Sequence, residues 1–275
     1  MTAQAIPKTN IRTEPLLSSR GNGIALLELN RPASSNALSE AMMAALQQAL
    51  DDIALDTSIR VVILAGNGAA FCAGHDLKEL MTHRGDADRG RAYYEEVFAR
   101  CCKLMQSVLD LKQPVIAAVE GVATAAGCQL VATCDLAFAS PRARFATPGV
   151  NIGLFCTTPS VALVRNVSRK HAMEMLLGGE LISAQDAARI GLVNRVIAPP
   201  DSVRAAAFET ARLIASKSPV TVALGKRAFY RQAELPLDEA YSYAANVMVE
   251  SMLTQDAKEG IGAFIEKRAP RWSGT

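Results

Sequence analysis

An α/β fold is what this sequence of 275 residues predicts, on three observations. Aliphatic segments of strand length alternate with segments of helical periodicity over residues 16–200. The strand segments are continuous apolar runs, as expected for parallel strands covered on both faces. Residues 201–275 carry helical periodicity with few strand signals, which makes them a helical appendage to one core.

Residues 1–15 read as a flexible arm. The runs GIALLELN (23–30) and RVVILAG (60–66) are expected strands. Between them, SEAMMAALQQALDDIA has helical spacing, with Ser39 placed to cap it. A polar stretch (82–91) precedes the helical YYEEVFARCCKLMQSVLDLK, and PVIAAVEG (114–121) and CDLAFAS (134–140) are two further strands. Four helical segments follow residue 200, and Pro219 and Pro236 stand where two of them should start. These segments are rich in Met and Ala, which suits packing against another subunit.

Composition narrows the function. Half of the residues are hydrophobic, enough for a substantial core. A net charge of +2 with interspersed signs gives no footprint for nucleic acid or a membrane surface. No apolar run has the length of a membrane span. Six cysteines form no C-x-x-C pair and only three histidines accompany them, so no metal site is expected. Reduced thiols point to the cytoplasm, while the acid-free, weakly basic segment MTAQAIPKTNIR keeps the mitochondrial matrix open.

Common catalytic motifs are missing. GNGAAF (66–71) lacks the third glycine of a dinucleotide fingerprint, and no G-x-S-x-G, H-E-x-x-H or Walker A sequence occurs. Two other segments share one plan. VVILAGNGAAFCAGHDLKEL and PVIAAVEGVATAAGCQL each read as strand, glycine turn and helix, with helices starting near His75–Asp76 and near Ala125. Main-chain N–H groups at two such ends could converge on one carbonyl oxygen, worth roughly 3–4 kcal/mol per well-placed donor. The small residues Ala125, Ala126 and Gly127 would let a ligand approach the backbone. Tight helix–strand packing explains the same small residues and is, from pattern alone, the plainer reading.

The order of NRPASSNAL (30–38), FCAGHDLKEL (71–80), GVATAAGCQLVATCDLAFAS (121–140), FATPGVNIGL (145–154), GLVNRV (191–196) and AFIEKR (263–268) resembles the enoyl-CoA hydratase/isomerase, or crotonase, superfamily. The resemblance covers the chain from about residue 20 to its end. It implies a β-β-α spiral core and a C-terminal helical region that assembles trimers, often paired into hexamers. It also implies an acyl-CoA thioester ligand, with no cofactor beyond the coenzyme A of the substrate itself. The main-chain N–H groups of His75 and Ala126 match the family's oxyanion hole. Ala33, Ser34, Ser35, Ala73, Asp76, Leu77 and Lys78 match its coenzyme A surface, and Lys267 matches a lysine that reaches the coenzyme from a neighbouring subunit.

Two positions depart from the family. Its hydratases use a pair of glutamates to activate water and to protonate the α-carbon; here Gln129 and Gly149 occupy those positions. A carboxamide does not titrate usefully, and glycine offers no side chain. The expectation is therefore a protein that binds an acyl-CoA thioester and stabilises its enolate-like oxyanion, with weak or altered hydratase activity. Lyase or isomerase chemistry in fatty-acyl metabolism is the nominal class. The rival expectations are a non-catalytic acyl-CoA-binding or regulatory protein, and a scaffold with an empty pocket. Cys156 is a candidate replacement acid or base, with a buried structural thiol as its plainer reading. The His75 ring is another candidate base.

Overall fold

A computed structural model describes residues 14–199 and 202–275. Most of the expected arm lies outside the described residues. In chain order the elements are β1 (Leu16–Gly21), β2 (Ile24–Leu29), α1 (Glu40–Leu55), β3 (Val61–Gly66), β4 (Ala70–Cys72), α2 (Leu77–Thr82), α3 (Arg91–Asp110), β5 (Val115–Val119) and β6 (Val122–Thr124). Then come α4 (Ala126–Thr133), β7 (Leu136–Ala139), β8 (Arg144–Ala146), α5 (Thr157–Leu163), α6 (Arg169–Gly178), β9 (Ile182–Ser183), α7 (Ala184–Arg189) and β10 (Arg195–Val196). The chain closes with α8 (Val203–Ala215), α9 (Pro219–Gln232), α10 (Leu237–Met252) and α11 (Gln255–Ile265).

The strands form two sheets, ordered β1-β2-β3-β5-β7-β10 and β4-β6-β8-β9. Consecutive strands divide between them: β3, β5 and β7 lie in the first sheet, and β4, β6 and β8 in the second. Each β-β-α unit thus advances the chain by one strand in both sheets, which is a spiral. Pairing is parallel along β2-β3-β5-β7-β10 and β4-β6-β8; β1 with β2 and β8 with β9 are antiparallel.

Both faces of the central strands β3 and β5 are buried, as their apolar runs require. Val62 and Leu64 of β3 face a core shared with α1 and α3, including Met42, Leu46, Leu104 and Val108. The alternate residues Val61, Ile63 and Ala65 face the opposite side, where Val203, Ala207 and Ala211 of α8 cover them. The helix caps agree with the sequence. Ser39 Oγ accepts the Met42 N–H at 3.2 Å, and Pro219 opens α9.

Helix α9 is pinned to the core by a buried ion pair. Lys226 Nζ, 6 % exposed in its side chain, lies 2.8 Å from Asp135 Oδ2 and also donates to the Val108 and Gln113 carbonyls. The Tyr230 hydroxyl donates to Asp135 Oδ1 at 2.9 Å, and the Val115 N–H donates to Oδ2. Every polar atom of this cluster is thus engaged, the condition under which a buried ion pair is tolerable.

Candidate active site

The parallel strands β4, β6 and β8 end at one edge of the small sheet, so three loops lie side by side: 73–76, 125–126 and 147–149. Short bonds lock them together. Thr124 Oγ1 donates to the Ala73 carbonyl at 3.1 Å, and the Ala125 N–H donates to the Ala146 carbonyl at 2.9 Å. A crevice at the carboxyl ends of parallel strands is a recurrent ligand position in α/β folds.

His75 lies in a bridge to Leu38. The Leu38 N–H donates to the Gly74 carbonyl at 2.7 Å, and the Asp76 N–H to the Leu38 carbonyl at 3.3 Å. In a parallel bridge residues 74 and 76 make the bonds, so the His75 N–H points away from Leu38. It finds no acceptor among the described residues. Helix α2 starts close to the expected place, at Leu77 with Asp76 as its cap, and the His75 N–H lies just before it. The N–H is free because of strand geometry.

Ala126 is the first residue of α4, and its N–H also lacks an acceptor among the described residues. Ala125 before it has φ +49° and ψ −121°, a region that costs a non-glycine residue about 1–3 kcal/mol. Gly74 fits against this turn: a Cβ there would lie 2.9 Å from Ala125 Cβ and 3.2 Å from the Ala126 nitrogen. The two free amides therefore belong to backbone segments in contact. Gly127 serves packing, because a Cβ there would meet the Cys72 carbonyl oxygen at 2.0 Å.

Of the expected coenzyme A positions, Ala33–Ser35, Ala73 and Asp76–Lys78 lie on neighbouring loops, tied by the Ser35–Ala73 and Arg31–Asp76 contacts. Ala33 and Ser34 lie in a short 3-10 turn and Ser35 follows at φ +50°, its carbonyl accepting the Ala73 N–H at 3.0 Å. Asn36, which sequence reasoning passed over, fastens this loop. Fully buried, it accepts from the Arg31 N–H and donates to the Asn67 and Ala70 carbonyls. Its place in NRPASSNAL was the available signal.

Asp76 pairs with Arg31 at 3.2 Å and caps the Lys78 N–H, while Glu79 accepts the Glu40 N–H. Lys78 and Leu77 are exposed, and the Lys78 ammonium makes no ion pair among the described residues. Lys267 is also exposed, just beyond α11, and its N–H donates to the Phe264 carbonyl. No bond joins it to the rim of its own chain among the described residues.

Behind the rim lie the substituted positions. Gln129 is 4 % exposed and its Oε1 has no partner among the described residues. Thr147 Oγ1, another buried oxygen without a partner, is a group the sequence did not single out. Gly149 is buried, and the thiol of Cys156 fills the space beside it: a Cβ at 149 would lie 2.9 Å from Sγ. Burial pushes the Cys156 thiol above its ordinary pKa, partly offset by the Gly149 main chain. Cys128, also buried, is pushed up to about 12 by burial and by its neighbour Cys156.

The His75 ring rests edge-on against Phe98, with centroids 5.3 Å apart. Burial holds its pKa below the ordinary value, and the nearby Leu38 main chain opposes this. Neither ring nitrogen reaches bonding geometry with a partner among the described residues. A groove of about 1830 Å³ lies elsewhere, between the core and α9, around Arg165, Lys226, Tyr230 and Glu234. Its Lys226 is held by Asp135 and its Arg165 pairs with Glu234.

This spiral fold, with free amides at its strand ends, is that of the crotonases. The enoyl-CoA hydratase/isomerase family model matches residues 19–275, and the chain belongs to that family. Its relatives then narrow the kinship. Enoyl-CoA hydratase domain-containing protein 3, mitochondrial, of Xenopus laevis is 48% identical over 252 residues, covering 92% of this chain and 84% of the relative. The crystal structure of human enoyl-CoA hydratase domain-containing protein 3 matches with TM-score 0.89 and 45% identity, over 94% of this chain and all of the other. An enoyl-CoA hydratase structure from Mycobacterium smegmatis matches with TM-score 0.88 and 52% identity, over 94% and 98% of the two chains.

Proposed function

We propose that the chain binds an acyl-CoA thioester with its carbonyl oxygen on the main-chain N–H groups of His75 and Ala126. Coenzyme A then runs outward across Ala33–Ser35, Ala73, Asp76, Leu77 and Lys78, and the acyl group points inward toward Gln129, Gly149 and Cys156. The observation that supports this reading most is the contact of Gly74 with the Ala125–Ala126 turn, which sets two unbonded amides on adjoining segments. Preorganised donors of this kind favour charge building on the thioester oxygen, which is an enolate-like state.

Proton transfer is where this site differs from a hydratase. Each general acid or base contributes about 10²–10⁴-fold, and Gln129 and Gly149 supply neither. Crotonyl-CoA hydration is therefore expected to be weak or absent. A turnover in the range of ordinary hydratases would overturn this expectation. Binding is tested separately by titrating butyryl-CoA in a thermal-shift or calorimetric assay, where no response would remove the acyl-CoA reading.

A second reading, a non-catalytic acyl-CoA-binding or regulatory protein, is favoured by the same two substitutions. Screening decarboxylation, thioester hydrolysis and double-bond migration separates it from an altered enzyme. Self-association into a trimer or hexamer through α9–α11, with Lys267 reaching a neighbour's coenzyme, completes the proposal. The relatives named as mitochondrial favour the matrix over the cytoplasm expected from composition.

A further inference from the structure

Cys156 is the group that the binding reading leaves without a task. It is 8 % exposed, and its sulfur occupies the space that a side chain at Gly149 would enter. Two buried side chains, one next to Cys128 in the chain and one just before Pro148 and Gly149, leave polar atoms open to a ligand. Gln129 Oε1 and Thr147 Oγ1, on residues 4 % and 0 % exposed, have no partners among the described residues. Buried polar atoms without partners are costly unless something else bonds them. Thr147 follows Ala146, whose carbonyl holds the Ala125 N–H at 2.9 Å, so this polar lining adjoins the start of α4. Cys156 stands at the N-cap position of α5 without a side-chain cap bond, and lies near enough to Cys128 of α4 to raise that thiol further.

We propose that Cys156 is a capture site for α,β-unsaturated acyl-CoA thioesters, its sulfur adding to the β-carbon. The inference rests on the acyl-CoA reading above. With the carbonyl oxygen held at the amides of His75 and Ala126, and coenzyme A leaving over the exposed rim, the α- and β-carbons extend toward the buried Gly149 wall. The Cys156 thiol gives up its proton and a bond forms between Sγ and the β-carbon. The alkene electron pair moves onto the thioester as an enolate, which the two amides stabilise. A proton equivalent to the one lost from sulfur then arrives at the α-carbon. Net, S–H adds across the double bond, nothing is oxidised or reduced, and the thioester stays intact.

The absence of the two family glutamates makes this step competitive, since no carboxylate activates water against the same carbon. The other cysteines are placed differently. Cys72 and Cys128 are fully buried in the core, Cys101 and Cys134 are buried too, and Cys102 is half-buried on α3. The raised Cys156 thiol implies a slow reaction at neutral pH that accelerates about tenfold per pH unit as thiolate accumulates.

The test is intact-mass spectrometry of the whole protein incubated with crotonyl-CoA between pH 7 and 9, followed by peptide mapping. The expected result is one adduct per chain with the full mass of crotonyl-CoA, mapped to Cys156 and slowed by excess butyryl-CoA. Cys102→Ser should form it at the unaltered rate, and Cys156→Ser should not, with its unfolding midpoint measured to show that it folds. Absence of an adduct in a protein that butyryl-CoA stabilises overturns the capture site and leaves the binding reading standing. An adduct on Cys102, or a mass gain of the acyl group alone, also overturns it. Failure of butyryl-CoA to stabilise the protein overturns the binding reading and the capture site together.

Discussion

Gly127 of α4 lies so close to Cys72 of β4 that a Cβ on the glycine would sit 2.0 Å from the cysteine's carbonyl oxygen. The contact sets how deeply α4 enters between the strand ends, and so where the Ala126 amide stands. Gly127→Ala is expected to push α4 outward and to destabilise by about 1–3 kcal/mol, the usual cost of overpacking. Urea unfolding measures that loss, and butyryl-CoA titration should show weaker binding at temperatures where the variant remains folded. Unchanged stability would mean that the helix seats differently.

Restoring hydratase chemistry requires more than replacing Gln129 and Gly149 by glutamate. A side chain at 149 would meet Cys156 Sγ at 2.9 Å and the Leu154 carbonyl at 3.0 Å. Gln129→Glu with Gly149→Glu is expected to fold poorly and remain slow. Adding Cys156→Gly opens the space, and crotonyl-CoA hydration should then rise by about 10²–10⁴-fold for each working carboxyl group. Equal activity of the double and triple variants would show that the thiol does not obstruct position 149.

Acid stability should register His75. Its folded pKa is depressed by burial, so the unfolded chain takes up the proton first as the pH falls. The contribution is fully present above the unfolded value of about 6.5 and declines as the pH drops through that value toward the folded one. Denaturant midpoints should fall in the wild type between about pH 7.5 and about pH 5. In His75→Gln the slope assigned to this ring should vanish.

The ion pair between Lys226 and Asp135 anchors α9. Lys226→Met leaves the Asp135 carboxylate buried with only Tyr230 and the Val115 N–H, and breaking such a pair costs about 3–5 kcal/mol. A double-mutant cycle with Asp135→Asn should show strong coupling. Additive losses would mean that the two groups act independently.

Phe264 is 85 % exposed, Leu253 78 %, Leu237 75 % and Ile265 73 %, all at or near the ends of α10 and α11. Exposed apolar side chains along these helices are candidates for an interaction surface. Light scattering is expected to give a mass of three or six chains, and Phe264→Glu with Leu253→Glu should shift it toward one. A monomeric wild type would leave this surface for a different partner.

Much of the frame was legible in the sequence. The runs at 24–29, 61–66 and 115–119 are strands because they are long, aliphatic and buried on both faces, and α1 starts after Ser39 as its cap demands. Strand β1 was not legible: only Leu16 of its six residues is buried, so LLSSRG carries no apolar pattern. The short strands β4, β6, β8, β9 and β10 have two or three residues each, too few to show a period. Of the site, the motif blocks pointed to His75, Ala126, Gln129 and Gly149, whereas Asn36 matters through hydrogen bonds to distant carbonyls and Thr147 through a buried hydroxyl without a partner among the described residues.

By itself the sequence determined the chemistry on offer: small residues at 125–127, and no carboxylate at 129 or 149. Those are properties of single residues, read without coordinates. Tertiary structure alone decided that the Cys156 sulfur fills the space beside Gly149, and that the His75 amide is free through strand geometry. The first depends on how the chain folds back between positions 149 and 156, the second on pairing with the distant Leu38, and packing at ångström range is set by the whole fold.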